Sequence, residues 1–162
     1  MTISEGGRLP DANLVTMGQN GPETVDLGAR IKGRKVVVFG LPGAFTGPCT
    51  TAHVPSFMRT AEAFRKKGVE EIICIAVNDP FVLKAWSDST GAGAAGITFL
   101  GDSDASFTTA LKMAFTAPHL GLVNRSNRYA LMIDDGVITR AMIDKPGECN
   151  ISTGEALLEK ID

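Results

Sequence analysis

Cysteine is scarce in this chain: Cys49, Cys74 and Cys149 are the only three in 162 residues, and no two form a CxxC pair. An odd number without a close pair argues against both a disulfide framework and a cysteine-rich zinc site. With only two histidines as well, no metal-ligand cluster is expected. Charge of one sign is also missing. Sixteen basic and eighteen acidic residues leave a formal charge of −2, with no basic run to suggest nucleic acid and no acidic tail to suggest disorder. The longest apolar runs fall far short of the roughly 18 residues a membrane helix needs. The start, MTISEGGRLPDANL, has no basic region followed by an apolar one, so no signal peptide is expected. These absences point to a reducing, cytoplasmic setting. A domain of about 150 residues buries roughly 68–70% of its unfolded surface and needs no disulfide staples. Residues 1–162 are therefore read as a single domain.

What is present alternates. Leu14 to Met17 and Thr24 to Leu27 flank Asn20-Gly21-Pro22 and read as a short N-terminal hairpin. KVVVFG, Lys35 to Gly40, is a compact apolar run expected as a central strand buried on both faces. From Thr50 to Lys67 the period changes: Ala52, Phe57, Ala61 and Phe64 are set on one helical stripe, with Pro55 tolerable only near a first turn. EIICIAVN (71–78) is the next strand, followed by a helix from Phe81 to Ser89, a strand from Ile97 to Gly101 and a helix from Asp102 to Met113. Arg128–Asp134 and Val137–Ile143 flank Asp135-Gly136, a strong hairpin turn because both central positions favour positive φ. Ser152 or Thr153 with Glu155 opens a last helix to Lys160. This order predicts an α/β thioredoxin-like fold: a central mixed β-sheet flanked by helices.

One stretch, PGAFTGPCTTAH (42–53), places Cys49 where a strand hands over to a helix. A thiol at its ordinary pKa of about 8.5 is only a few per cent thiolate at neutral pH. Unpaired amides and the macrodipole at a helix N-terminus favour the anion. Open α/β sheets also keep their reactive groups at the ends of strands. Thr46 can aim its hydroxyl into the same pocket, and Pro42 and Pro48 stiffen the loop. The stretch lacks the Gly-Lys-Ser/Thr ending of a phosphate loop. A cysteine–histidine hydrolase would use His53, but no orienting Asn or Asp can be assigned. His53 is instead expected at the pocket rim or facing solvent, and His119 in a loop without a role. The plain alternative is that Cys49 is a small buried residue.

PGAFTGPC resembles the active-site motif of the peroxiredoxins. With FGLPGAFTGPCTTAHVPSF, AVNDPFVLKAW (76–86) and RYALMIDDGVI (128–138), the chain from about Leu9 onward resembles the type II group, the peroxiredoxin 5 subgroup. The resemblance implies that Cys49 is the peroxidatic cysteine, that Thr46 bonds thiolate and peroxide, and that Arg128 lowers the thiolate pKa and holds the peroxide. Pro42 would shield the sulfur, and Pro42, Gly47 and His53 form the substrate-binding set. The family usually has Thr-Pro-x-Cys, whereas this chain has Thr46-Gly47-Pro48-Cys49. That exchange moves an amide donor from position 48 to position 47.

The implied function is a thiol-dependent peroxidase reducing hydrogen peroxide and small organic hydroperoxides, without metal or other cofactor, in redox homeostasis. Its sulfenic acid needs a thiol to resolve it. Cys74 and Cys149 are the internal candidates, and glutaredoxin with glutathione, or thioredoxin, the external ones. Cys74 reads equally as a small hydrophobe in a buried strand. A homodimer is expected, with Phe45, Pro80 and Phe81 as contacts. The rival class is a non-catalytic thioredoxin-like redox-sensing or binding module, which would oxidise once without efficient recycling.

Overall fold

A computed structural model describes residues 3–47 and 49–161, the side chains of Cys49 and Thr50 excepted; Met1, Thr2, Pro48 and Asp162 lie outside the described residues. The centre is a seven-stranded mixed sheet in the order β2-β1-β5-β4-β3-β8-β9. β3 (Lys35–Gly40), β4 (Glu71–Ala76) and β5 (Ile97–Gly101) run parallel. β8 (Tyr129–Asp134) and β9 (Val137–Ile143) extend the sheet antiparallel on one side. The hairpin β1 (Asn13–Gly18) and β2 (Gly21–Asp26) closes the other. Its tight turn is Gln19-Asn20, between the paired Gly18 and Gly21, so Pro22 lies in the edge strand rather than in the turn. An edge strand tolerates a residue with no amide to donate.

The run of valines in β3 divides two cores. Val37 and Phe39 pack into a cluster with Phe57 and Phe64 of α2 (Val54–Lys66), Trp86 of α3 (Pro80–Thr90) and Leu157 of α5 (Gly154–Lys160). Val36 and Val38 pack on the opposite face with Leu27 and Ile31 of α1 (Leu27–Ile31), Phe107 of α4 (Ser106–Ala110) and Tyr129. Burial on both faces is why this strand shows no polar alternation. Asp79 caps α3 by accepting from the Val82 amide at 2.8 Å, and Thr153 caps α5 by accepting from Ala156 at 3.2 Å. Asp135 and Gly136 take φ of 48° and 80°, as the β8–β9 turn requires.

Three segments differ from expectation. α1 is a short helix with no sequence signal beyond its Asp26 cap. The helix expected over 102–113 is only α4. The residues of that span on either side of α4 are turns and coil, and beyond it lies a separate two-stranded arm of β6 (Ala114–Ala117) and β7 (Leu122–Ser126). His119 lies exposed in the 3₁₀ turn (Pro118–Leu120) between them. The helix expected from Thr50 begins as a π-helical turn, Cys49–His53, and becomes α-helical at Val54. Pro55 then falls in the first turn of α2, where the missing amide costs nothing. Among the described residues no helix is long and apolar enough to cross a membrane.

Candidate active site

β3 ends at Gly40 in the middle of the sheet, and the chain leaves it through a tight turn before the π-helical turn that begins with Cys49. Gly43 holds φ at 145°, and a Cβ built there would lie 2.2 Å from Arg125 Nη1. Only glycine allows both that backbone and that approach. The same Arg125 nitrogen donates to the Pro42 carbonyl at 3.0 Å, and the Ala44 amide donates to Asn78 Oδ1 at 2.9 Å. Phe45 follows with φ of 62°, a left-handed conformation uncommon outside glycine, and its ring is 55% exposed. Thr46 closes the turn by donating its hydroxyl hydrogen to the Gly43 carbonyl at 2.7 Å.

Arg128 approaches from the opposite side, one residue before β8, and is only 6% exposed. Its Nη1 donates to the Glu148 carbonyl at 3.4 Å. Between the two segments lies a pocket of about 520 Å³. Pro42, Thr46 and Gly47 form one wall and Arg128 with Asn127 the floor. Pro146 and Gly147 of the loop after β9 close a second side, and Phe115, Leu120 and Leu122 of the β6–β7 arm a third. One cationic side chain therefore faces an otherwise largely apolar space.

The match of this chain to known proteins agrees with the geometry. Residues 4–158 fit the Redoxin family model. Peroxiredoxin-2D of Arabidopsis thaliana is 37% identical, with 98% of each chain covered. The chloroplastic Peroxiredoxin-2E-2 of Oryza sativa is 39% identical over 99% of this chain and 73% of that protein. The structure of reduced Prx3 from Vibrio vulnificus in complex with hydrogen peroxide superposes with a TM-score of 0.92. It is 38% identical and the match covers 99% of this chain and 100% of the other. The chain is a type II peroxiredoxin. It is accordingly a thiol-dependent peroxidase with the thioredoxin-like fold expected from the order of its elements.

Of the residues singled out in the sequence, Pro42, Thr46, Gly47 and Arg128 converge on this peroxiredoxin pocket. Pro48 and the thiol of Cys49 lie outside what the structure describes, although the Cys49 backbone opens the π-helical turn beside Gly47. His53 does not line the pocket and is not at a rim or in solvent: it is completely buried. Its ring lies 5.2 Å from that of Phe39 and 5.8 Å from that of Phe57. The spacing held the clue, since His53 precedes Phe57 by four residues and so shares its buried face. Cys74 is fully buried in the core of β4, and Cys149 is half-buried in the loop next to Glu148. Pro80 is packed inside as the first residue of α3, so of the three expected surface contacts only Phe45 and Phe81 are exposed.

Sequence reading missed the residues that organise the second wall. Asp144, buried where β9 ends, accepts from the amides of Asn150, Ile151 and Ser152 at 2.9, 3.0 and 3.0 Å, and from the Ser152 hydroxyl at 2.5 Å. Burial alone would push its carboxyl up; the Ser152 hydroxyl and the three amides outweigh this and hold it below the ordinary carboxylate range. The apolar pocket residues of the β6–β7 arm were likewise hidden, in a stretch beyond the expected helix where only the loop at 117–120 was expected. Pro118 and Gly121 between two short apolar runs were the available signal.

Proposed function

We propose that this peroxiredoxin reduces hydrogen peroxide and small organic hydroperoxides through Cys49, with Arg128 and Thr46 as its catalytic partners. The observation that carries the reading is the single pocket joining the Pro42–Gly47 turn, immediately before Cys49, to the buried Arg128. The Cys49 thiolate attacks one peroxide oxygen, an S–O bond forms as the O–O bond breaks, and the departing alkoxide or hydroxide takes up a proton. Charge develops on the leaving oxygen, and a fixed guanidinium in a largely apolar pocket stabilises it as it appears. Thr46 has its only hydroxyl hydrogen committed to Gly43; its oxygen therefore serves as acceptor for the O–H of the bound peroxide. Pro42 and Gly47 shape the substrate wall, Gly47 supplying the amide that Pro48 lacks.

The sulfenic acid left on Cys49 is reduced by an external thiol, from glutathione with glutaredoxin or from thioredoxin, giving first a mixed disulfide and water and then the free thiolate. Burial of Cys74 in the core between the sheet and α2, α3 and α5 supports this one-cysteine cycle, because that sulfur reaches another only if the helices over it lift away. The exposed Phe45 and Phe81 support a homodimer, and a thiolate nucleophile suits a reducing compartment such as the cytoplasm.

Treating fully reduced protein with one equivalent of hydrogen peroxide, without added thiol, tests the reading by intact mass and thiol count. Gain of one oxygen at Cys49 with the other two thiols intact is expected. A disulfide to Cys74 or Cys149 would overturn the one-cysteine cycle, and no reaction at Cys49 would overturn its assignment as nucleophile.

A further inference from the structure

His53 is a buried polar side chain that the chemistry above does not use. Its Nε2 lies 2.9 Å from the carbonyl oxygen of Ser152, 99 residues away in sequence. A carbonyl only accepts, so Nε2 carries the proton and Nδ1 keeps its lone pair. Nδ1 is buried with no hydrogen-bond partner among the described residues. Burial, first, and the nearby positive charge of Arg128 outweigh the Ser152 carbonyl and Asp144, and lower the imidazole pKa from 6.5 to about 4. The ring is therefore neutral and its tautomer fixed at neutral pH.

That one bond joins two structures that must keep their distance. On one side, His53 ends the π-helical turn that begins with Cys49. On the other, Ser152 belongs to the loop gathered by the Asp144 carboxylate. The same loop holds the cation: the Asp144 amide donates to the Arg128 carbonyl at 3.1 Å, and Arg128 Nη1 donates to the Glu148 carbonyl. Ser56 adds a second stitch, donating to the His53 carbonyl at 2.6 Å and accepting from the Gly154 amide at 2.9 Å. A continuous path thus runs from the Cys49 turn through His53, Ser152 and Asp144 to Arg128.

We infer that His53 is a positioning residue for the peroxidase reaction, setting the distance between the turn that carries Cys49 and the guanidinium of Arg128. The inference rests on Cys49 being the nucleophile, and an error of about 1 Å between reacting groups can cost on the order of 100-fold in rate. Replacing His53 by leucine fills similar space but removes the donor. Replacing it by glutamine keeps an N–H able to reach Ser152.

The decisive experiment is a single-turnover measurement of Cys49 oxidation by hydrogen peroxide, together with thiolate titration by ultraviolet absorbance, below the melting temperature of each variant. His53→Leu is expected to slow oxidation by about 10-fold or more and to raise the thiol pKa, and His53→Gln to restore both to near wild type. If His53→Leu does not fold, Asp144→Asn tests the same path from its other end, with the same slowing and the same shift expected. Wild-type rate and titration in a folded His53→Leu, or in Asp144→Asn, would overturn the inference. Failure of His53→Gln to recover would overturn the role of the hydrogen bond. A wild-type protein inert at Cys49 would instead overturn the assignment of the nucleophile, and the inference with it.

Discussion

The turn at 41–47 and the loop at 144–153 face each other across the pocket, and they are held in place by different means. The first leaves a central strand and is shaped by its own backbone: a glycine at positive φ, a left-handed Phe45 and a threonine bonded three residues back. The second has little local structure and is gathered instead by one buried carboxylate, Asp144, which accepts four hydrogen bonds from residues six to eight positions later. The difference teaches where each half of the site is vulnerable. The Cys49 side depends on conformation, which substitution of a single glycine can spoil. The cation side depends on charge and hydrogen bonding, which pH can spoil.

Arg128→Ala should have the largest effect. The domain should keep its circular dichroism while peroxide reduction falls by about 100-fold or more, the usual consequence of removing a donor aimed at developing charge. An unchanged rate would detach the 144–153 side from the chemistry altogether.

Acid should loosen the join between the two sides, the bond from His53 to Ser152. Above pH 6.5 the imidazole is neutral in folded and unfolded chains alike. Between 6.5 and about 4 the unfolded chain binds a proton that the folded one refuses, so stability falls as pH falls, and below about 4 this contribution is constant. At about 1.4 kcal/mol per unit the loss is about 3 kcal/mol. The charged groups facing the ring are Arg128 and Asp144, and Asp144 stays ionised across this window. Denaturant unfolding at a series of pH values should show this decline in the wild type and a flatter curve in His53→Gln; parallel curves would remove His53 as its source.

Gly43→Ala probes the other side. A positive φ and a Cβ meeting Arg125 should cost about 1–3 kcal/mol in chemical denaturation, with no added pH dependence. A neutral effect would mean that Arg125 simply swings aside and that the turn is less constrained than its backbone suggests. Cys149→Ser should do least: less than about 0.5 kcal/mol in stability, and no change in the rate of Cys49 oxidation. A large change would give the 144–153 loop a chemical role in addition to a scaffolding one.

Much of this was readable in advance, for identifiable reasons. Lys35 to Gly40 was read with its observed limits because burial on both faces leaves an unbroken apolar run, and Asp135-Gly136 because both residues tolerate the positive φ that a two-residue turn demands. The place of Cys49 at the mouth of a helix, and of Thr46 three residues before it, followed from local punctuation by proline and glycine. The π-helical form of that mouth was not legible, since no composition signal distinguishes it from an ordinary first turn.

The sequence by itself determined the local pieces: the strands of the central sheet and most of the helices, the turn before Cys49, and a family resemblance that pointed to Arg128. Only the tertiary structure decided that His53 is buried rather than at a rim, that Pro80 is packed inside, that Cys74 is enclosed on both sides by strands, and that Asp144 organises a wall of the pocket. Each of these depends on partners far away in the chain, as with His53 and Ser152. A residue's own neighbours in sequence can set its backbone, but they cannot say what will fold over it.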